Sequence, residues 1–87
     1  MMTRLQERNL RRTIKRGGNL RLPGHQGRTV QVEVTRHQTF TAVHIHIHGW
    51  KGEQPMPYYG PAREVYPLAA ELLDSLVVPQ APEVAHG

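Results

Sequence analysis

Three histidines alternate with isoleucines near the middle of the chain, at His44, His46 and His48. Residues two apart on a strand point to the same side with Cα atoms about 6.5 to 7 Å apart, so two neighbouring imidazoles can reach one metal ion. Three such residues span about 13 Å, which is too far for all of them to ligate one ion without distortion. His44 and His46 are therefore the candidate metal pair. We favour the alternative, a solvated or partner-facing row of imidazoles that binds no metal.

The segments His44-Ile45-His46 and His46-Ile47-His48 resemble the His-hydrophobic-His motif of nucleases and relaxases. Those enzymes cut single-stranded DNA with a tyrosine nucleophile and a divalent metal. Three tyrosines follow the motif in this chain, namely Tyr58, Tyr59 and Tyr66. The resemblance covers only these few residues. It implies a metal-dependent nuclease, which is our third hypothesis for the function.

Other routes to catalysis have little support in the residue types. The chain has no cysteine, which removes a thiol nucleophile, a thiolate zinc site and any disulfide. Ser75 is the only serine, and no phosphate-binding glycine loop precedes a Lys-Ser or Lys-Thr pair. We therefore expect a protein that is not an enzyme and that carries no cofactor.

Positive charge is concentrated in the first 28 residues. They carry eight basic residues against one glutamate, a net charge of +7, whereas the remaining residues carry three basic and six acidic ones. Seven of the eight are arginines, whose planar guanidinium groups suit phosphate oxygens. Such a segment attracts phosphates or acidic protein surfaces. The predicted nucleic-acid-binding residues are Arg4, Arg8, Arg11, Arg12, Lys15, Arg16, Arg21 and Arg28.

The charge pattern leaves two binding hypotheses open. The first is non-enzymatic binding of nucleic acid, DNA or RNA. The second is a small accessory or inhibitor protein, of the type found in phages and mobile elements, that docks on a larger protein or nucleoprotein complex. In the second case the aromatic loop at residues 49–60 would anchor the partner through Trp50, Tyr58 and Tyr59. Aromatic residues buried over a helix would be core, whereas aromatic residues exposed beside the arginines would form an interface.

The element that must position the histidines lies at residues 28–48. Two runs there alternate branched apolar residues with polar ones and are joined by a short polar link. This pattern predicts a central antiparallel hairpin with one apolar face. We expect Gln31, Arg36 and the histidines on its polar face. The predicted apolar face consists of Val30, Val32, Val34, Val43, Ile45 and Ile47.

The segment at residues 1–27 is predicted to be a basic arm. Two interpretations compete for it. One is a helix from Thr3 to Arg16 with Thr3 as its N-cap. We favour the other, a short helix or irregular arm over residues 3–9 and then a hairpin over residues 10–22 that turns at Gly17-Gly18-Asn19.

Helical spacing of apolar residues predicts a helix at residues 61–78, which begins at Pro61 or Pro67. Residues 79–87 are predicted to be a tail. The expected buried stripe of the helix consists of Val65, Leu68, Ala69, Leu72 and Leu76.

These elements predict one small α+β domain, in which an antiparallel sheet of three to four strands packs on one C-terminal helix. The element order resembles that of double-stranded RNA-binding domains and of the three-strand-plus-helix domains of plant transcription factors and phage integrases, which implies a fold and not a function. No apolar run approaches the roughly 18 residues that span a bilayer, so we expect a cytoplasmic protein with no membrane partner. An open edge strand would allow a homodimer.

Overall fold

The computed structural model describes residues 1–80, and the predicted tail beyond Gln80 lies outside the described residues. Its four strands form one antiparallel sheet in the order β1-β2-β3-β4, which confirms the α+β class. A short 3-10 turn, His25–Gly27, lies between β1 and β2. The elements in chain order are α1 (Arg4–Arg16), β1 (Gly18–Pro23), β2 (Thr29–Arg36), β3 (Thr41–His48), β4 (Tyr58–Gly60) and α2 (Ala62–Leu76).

The predicted central hairpin is confirmed as β2 and β3. The register pairs Val30 with Ile47, Val32 with Ile45 and Val34 with Val43, and all six side chains are buried. Branched side chains that stand directly opposite each other pack well on a pleated surface, so each pair adds to the same apolar face.

The predicted hairpin over residues 10–22 is wrong, because α1 continues to Arg16 and the following strand pairs with β2 instead. Leu20 lies opposite Val32, and Leu22 lies opposite Val30. The two glycines of the expected turn, Gly17 and Gly18, adopt positive φ angles of 83° and 122° and connect the helix to β1.

A capping box stabilises the start of α1. The Thr3 hydroxyl accepts a hydrogen bond from the Gln6 backbone N–H at 3.2 Å, and the Gln6 side-chain oxygen accepts one from the Thr3 N–H at 2.9 Å. Leu10 and Ile14 lie one turn apart on the face of α1 that is buried in the core. Gln6 also donates to the Val78 carbonyl at 3.0 Å, which holds the start of α1 against the segment after α2.

Part of the predicted aromatic loop is a strand. Tyr58–Gly60 forms β4, and its register pairs Tyr58 with Val43 and Tyr59 with Ala42. Because side chains alternate along a strand, Tyr58 lies on the apolar face beside the core and Tyr59 lies on the opposite face.

The helix predicted at residues 61–78 is present as α2, but its buried side differs from the predicted stripe. Val65, Ala69 and Leu73 are buried, whereas Leu68 is 49% exposed. Leu72 and Leu76 are half-buried. The helix α2 has this orientation because it packs against α1 as well as against β3 and β4. Its buried residues therefore lie between α1 and the sheet.

Both helices therefore cover the same face of the sheet. The predicted basic arm at residues 1–27 contains one of these helices, α1, and the strand β1. Residues from α1, α2 and the apolar sheet face form a single hydrophobic cluster. We call the other face of the sheet the open face, since neither helix packs on it. No helix within residues 1–80 has the length and apolarity needed to cross a membrane.

Candidate functional site

Basic side chains cover the solvent-facing side of α1. Arg8, Arg12 and Arg16 follow one another at a spacing of four residues and are all exposed. With a rise of 1.5 Å per residue, the basic residues from Arg4 to Arg16 extend over about 18 Å of helix. We call this set the basic stripe; it consists of Arg4, Arg8, Arg11, Arg12, Lys15 and Arg16.

The basic residues lie on one side of α1 because the other side is buried in the core. Gln6, Leu10 and Ile14 are the buried residues of the helix, and its exposed residues are all basic except Leu5. Glu7 is the single acidic residue of α1 and is half-buried. The exposed side of the helix therefore carries an almost uniform positive charge.

Arg11 differs from its neighbours because it joins the two helices. Its guanidinium carbon lies 4.8 Å from the ring centroid of Tyr66 on α2, and its Nη2 donates to the Tyr66 hydroxyl at 3.4 Å. A groove of about 270 Å³ runs along this junction and is lined by Arg11, Lys15 and Arg63 among others. Arg63, in the first turn of α2, thus adds to the positive charge beside the stripe. Arg63 was not among the predicted site residues, because its position beside the stripe depends on how the two helices pack.

Arg36 was expected on the polar face with the histidines, and the structure corrects this. The register places Arg36 opposite Thr41, on the same side of the sheet as Val34. Its Cγ lies 3.5 Å from the position that a Cβ on Gly17 would occupy. Arg36 therefore lies beside Gly17, at the end of α1.

Two of the eight predicted nucleic-acid-binding residues lie elsewhere. Arg21 is exposed on the open face, opposite Gln31. The guanidinium carbon of Arg28 lies 4.7 Å from the ring centroid of Trp50, at one end of the sheet. The structure thus separates the eight residues into a stripe of six and two isolated arginines.

The open face carries a group of rings in mutual contact. His37 and Phe40 stack with centroids 4.4 Å apart and ring planes at 22°. Tyr59 contacts Phe40 edge-on at 6.2 Å and His44 edge-on at 6.0 Å. We call these four residues the ring cluster. Beneath it Ala42 is only 2% exposed, although it lies on the open face.

The remaining two histidines of the row form a separate pair. His46 and His48 have ring centroids 4.5 Å apart. His48 Nε2 lies 2.7 Å from the Gln31 side-chain oxygen, and the Gln31 amide donates to the Asn19 side chain at 3.1 Å. Amide and imidazole groups therefore line the centre of the open face.

The two candidate metal ligands contact different rings in the part of the chain that the structure describes. His44, one of the two candidate ligands, contacts Tyr59, and His46, the other, contacts His48. Within residues 1–80, no group of three or more histidines and carboxylates is arranged to hold a metal ion.

The three predicted partner-contact residues lie in three different environments. Tyr58 packs beside the core, and Tyr59 belongs to the ring cluster. Trp50 is 42% exposed and lines a mostly apolar groove of about 410 Å³ between the sheet and α2. The groove walls include Arg28, Val30, Ile47, Leu72 and Leu76.

Comparison with protein-family models, with curated proteins and with solved structures gave no match to this chain.

Proposed function

We propose that this chain binds nucleic acid, without catalysis, through the basic stripe of α1. The observation that carries the proposal is the placement of six basic side chains on the exposed side of one helix. The field of such a surface raises the local concentration of polyanions. Arg63 extends the positive surface from a neighbouring element.

The arrangement has a cost in stability that an anionic partner would offset. Arg8, Arg12 and Arg16 are like charges four residues apart, and each such pair destabilises an isolated helix by about 0.2 to 0.5 kcal/mol. Phosphates bound along the stripe would remove this repulsion. A stripe of about 18 Å matches about five phosphates of one strand, which are spaced by about 3.4 Å along the duplex axis.

The test is a titration of labelled duplex and single-stranded nucleic acid at several salt concentrations, with and without EDTA. If four to six phosphates are neutralised, log K for duplex should fall with log salt with a slope of about −4 to −5. EDTA should leave the affinity unchanged, because the stripe needs no metal. A salt slope near zero would contradict the proposal.

The decisive variant replaces Arg8, Arg12, Lys15 and Arg16 together with glutamine. We expect it to abolish binding at moderate salt and to reduce the slope by about 3 to 4. The midpoint of thermal unfolding should not fall, since these side chains are exposed and repel one another. Lys51→Gln, an exposed site outside the stripe, is the control. An unchanged affinity in the fourfold variant would overturn the assignment.

A second candidate function is docking on a protein partner, and the position of Trp50 favours it. The indole is partly exposed beside Arg28 at the margin of the apolar groove. An arginine and an apolar groove together suit a peptide that carries a leucine next to a glutamate. Because Trp50 is the only tryptophan, its fluorescence reports on this site. A peptide of that type should change the emission, while its glutamine analogue and the Arg28→Ala variant should not respond.

A further inference from the structure

The open face has a composition that neither the fold nor the basic stripe requires. It exposes six rings, those of His37, Phe40, Tyr59 and the three histidines of β3. Tyr59 is 61% exposed and Phe40 is 37% exposed. Exposed aromatic side chains in mutual contact are typical of a binding surface.

The rings come from separate parts of the chain. His37 and Phe40 belong to the link between β2 and β3, His44 to β3 and Tyr59 to β4. Neighbouring rings of the cluster are 4.4 to 6.2 Å apart between centroids. The register of β4 against β3 therefore assembles a continuous aromatic surface from residues that are far apart in sequence.

Aliphatic side chains are almost absent from the same face. The valines and isoleucines of β2 and β3 are buried on the side of the helices, and Ala42, the aliphatic residue of β3 on the open face, is buried opposite Tyr59. This face offers π-surfaces and hydrogen-bonding groups, and these are the groups that recognise nucleobases.

Two polar groups farther along the open face, Gln31 and Arg21, suit the same ligand. Gln31, held between His48 and Asn19, presents an amide at the centre of the face. Arg21 lies opposite Gln31 on β1 and supplies a guanidinium for a phosphate or for stacking. Glu33, opposite His44, is the one carboxylate that β2 places there.

We infer that the open face binds a single-stranded segment of nucleic acid, with unpaired bases stacked on Phe40, Tyr59 and His44. Bases inside a duplex present no free π-surface, so the face selects single strands. The inference rests on the proposed function in one respect, because both assign nucleic acid as the ligand. It adds a second surface, on the other side of the sheet, and a substrate class.

The experiment measures fluorescence anisotropy with two probes of equal length, a labelled oligothymidine and a labelled hairpin duplex. Phe40→Ala and Tyr59→Ala should each weaken oligothymidine binding by about tenfold, within the range observed when a stacking aromatic is replaced by alanine. Neither should alter duplex binding. Tyr59→Phe keeps the ring and should retain the affinity for both probes. Circular dichroism and thermal midpoints of every variant establish that the fold is intact.

The outcomes separate the two proposals. Loss of both affinities in the fourfold stripe variant, with no effect of Phe40→Ala, Tyr59→Ala or His44→Ala, would overturn the open-face inference alone. In the opposite case, a ring variant weakens only oligothymidine binding and the stripe variant has no effect. This result would overturn the proposal for the basic stripe and support the proposal for the open face. A protein that binds neither probe would overturn both.

Discussion

The side-chain amide of Gln54 exchanges two hydrogen bonds with the backbone of Ile47. Its oxygen accepts from the Ile47 N–H at 2.8 Å, and its nitrogen donates to the Ile47 carbonyl at 3.0 Å. The β4 strand pairs only with residues 41–43, so Gln54 takes the place of a strand partner farther along β3. A single side chain thus blocks this part of the sheet edge, where a free strand edge would favour pairing with another chain.

We predict that Gln54→Ala destabilises the fold by about 1 to 3 kcal/mol, because two partly buried backbone groups lose their partners. Gln54→Glu keeps the shape but sets a carboxylate oxygen against the Ile47 carbonyl, so it should be no more stable than alanine. Gln38→Ala, at an exposed position of the β2–β3 link, is the control. Urea unfolding followed by circular dichroism measures the difference. Equal midpoints for wild type and Gln54→Ala would refute the structural role.

We predict that Leu73→Ala destabilises the protein by about 2 to 5 kcal/mol, the usual cost of a cavity at a fully buried leucine. Leu73 is 0% exposed, whereas Leu68 is 49% exposed, and Leu68→Ala should cost far less. The pair tests the orientation of α2 directly, since the predicted stripe contained Leu68 and omitted Leu73. Thermal unfolding measures both variants. A larger loss at Leu68 would show that the helix is turned the other way.

We predict that Arg11→Ala lowers stability and that Arg12→Ala does not. Arg11 stacks on Tyr66 between the helices, and such a cation–π contact at an exposed site contributes about 0.5 to 1 kcal/mol. Arg11→Lys keeps the charge but lacks the planar group, so it should recover only part of the loss. Differential scanning fluorimetry of the three variants gives the comparison. Equal midpoints for Arg11→Ala and Arg12→Ala would contradict the interhelical role.

We predict that Zn²⁺ does not raise the midpoint of thermal unfolding and that EDTA does not lower it, since no group of three protein ligands gathers within residues 1–80. A metal bound only by the folded state would stabilise it in proportion to the logarithm of its concentration. A rise with Zn²⁺ that disappears in both His44→Ala and His46→Ala would instead show a metal site at the candidate pair. It would also restore the nuclease hypothesis.

The pairing of β2 with β3 and the direction of their apolar side chains follow from the alternation of residues along each strand, and the sequence was sufficient to predict both. Alternating branched residues in β2 and β3 specify the apolar face and the register, because a shift by one residue would turn every valine and isoleucine to solvent. The density of arginine near the start of the chain also predicted a basic surface. Thr3 was also a candidate N-cap, but the alternation of apolar residues from Leu10 to Ile14 fits a strand as well as a helix.

Other features depended on contacts between distant residues. The conformation of residues 10–16 was decided by β1, which pairs with β2 and leaves α1 free to pack on the sheet. The buried side of α2 was decided by α1, a neighbour that helical periodicity cannot take into account. The position of Arg36 follows from its register with Thr41.

The two candidate binding surfaces also differ in how far the sequence could predict them. The spacing of Arg8, Arg12 and Arg16 is sufficient for a basic stripe once those residues are helical. The ring cluster could not be predicted, because it requires the short strand β4 to bring Tyr59 between Phe40 and His44. Sequence determines which side chains share a face of one element, since that depends on backbone periodicity alone. Tertiary structure decides which faces meet, because that depends on the packing of the whole core.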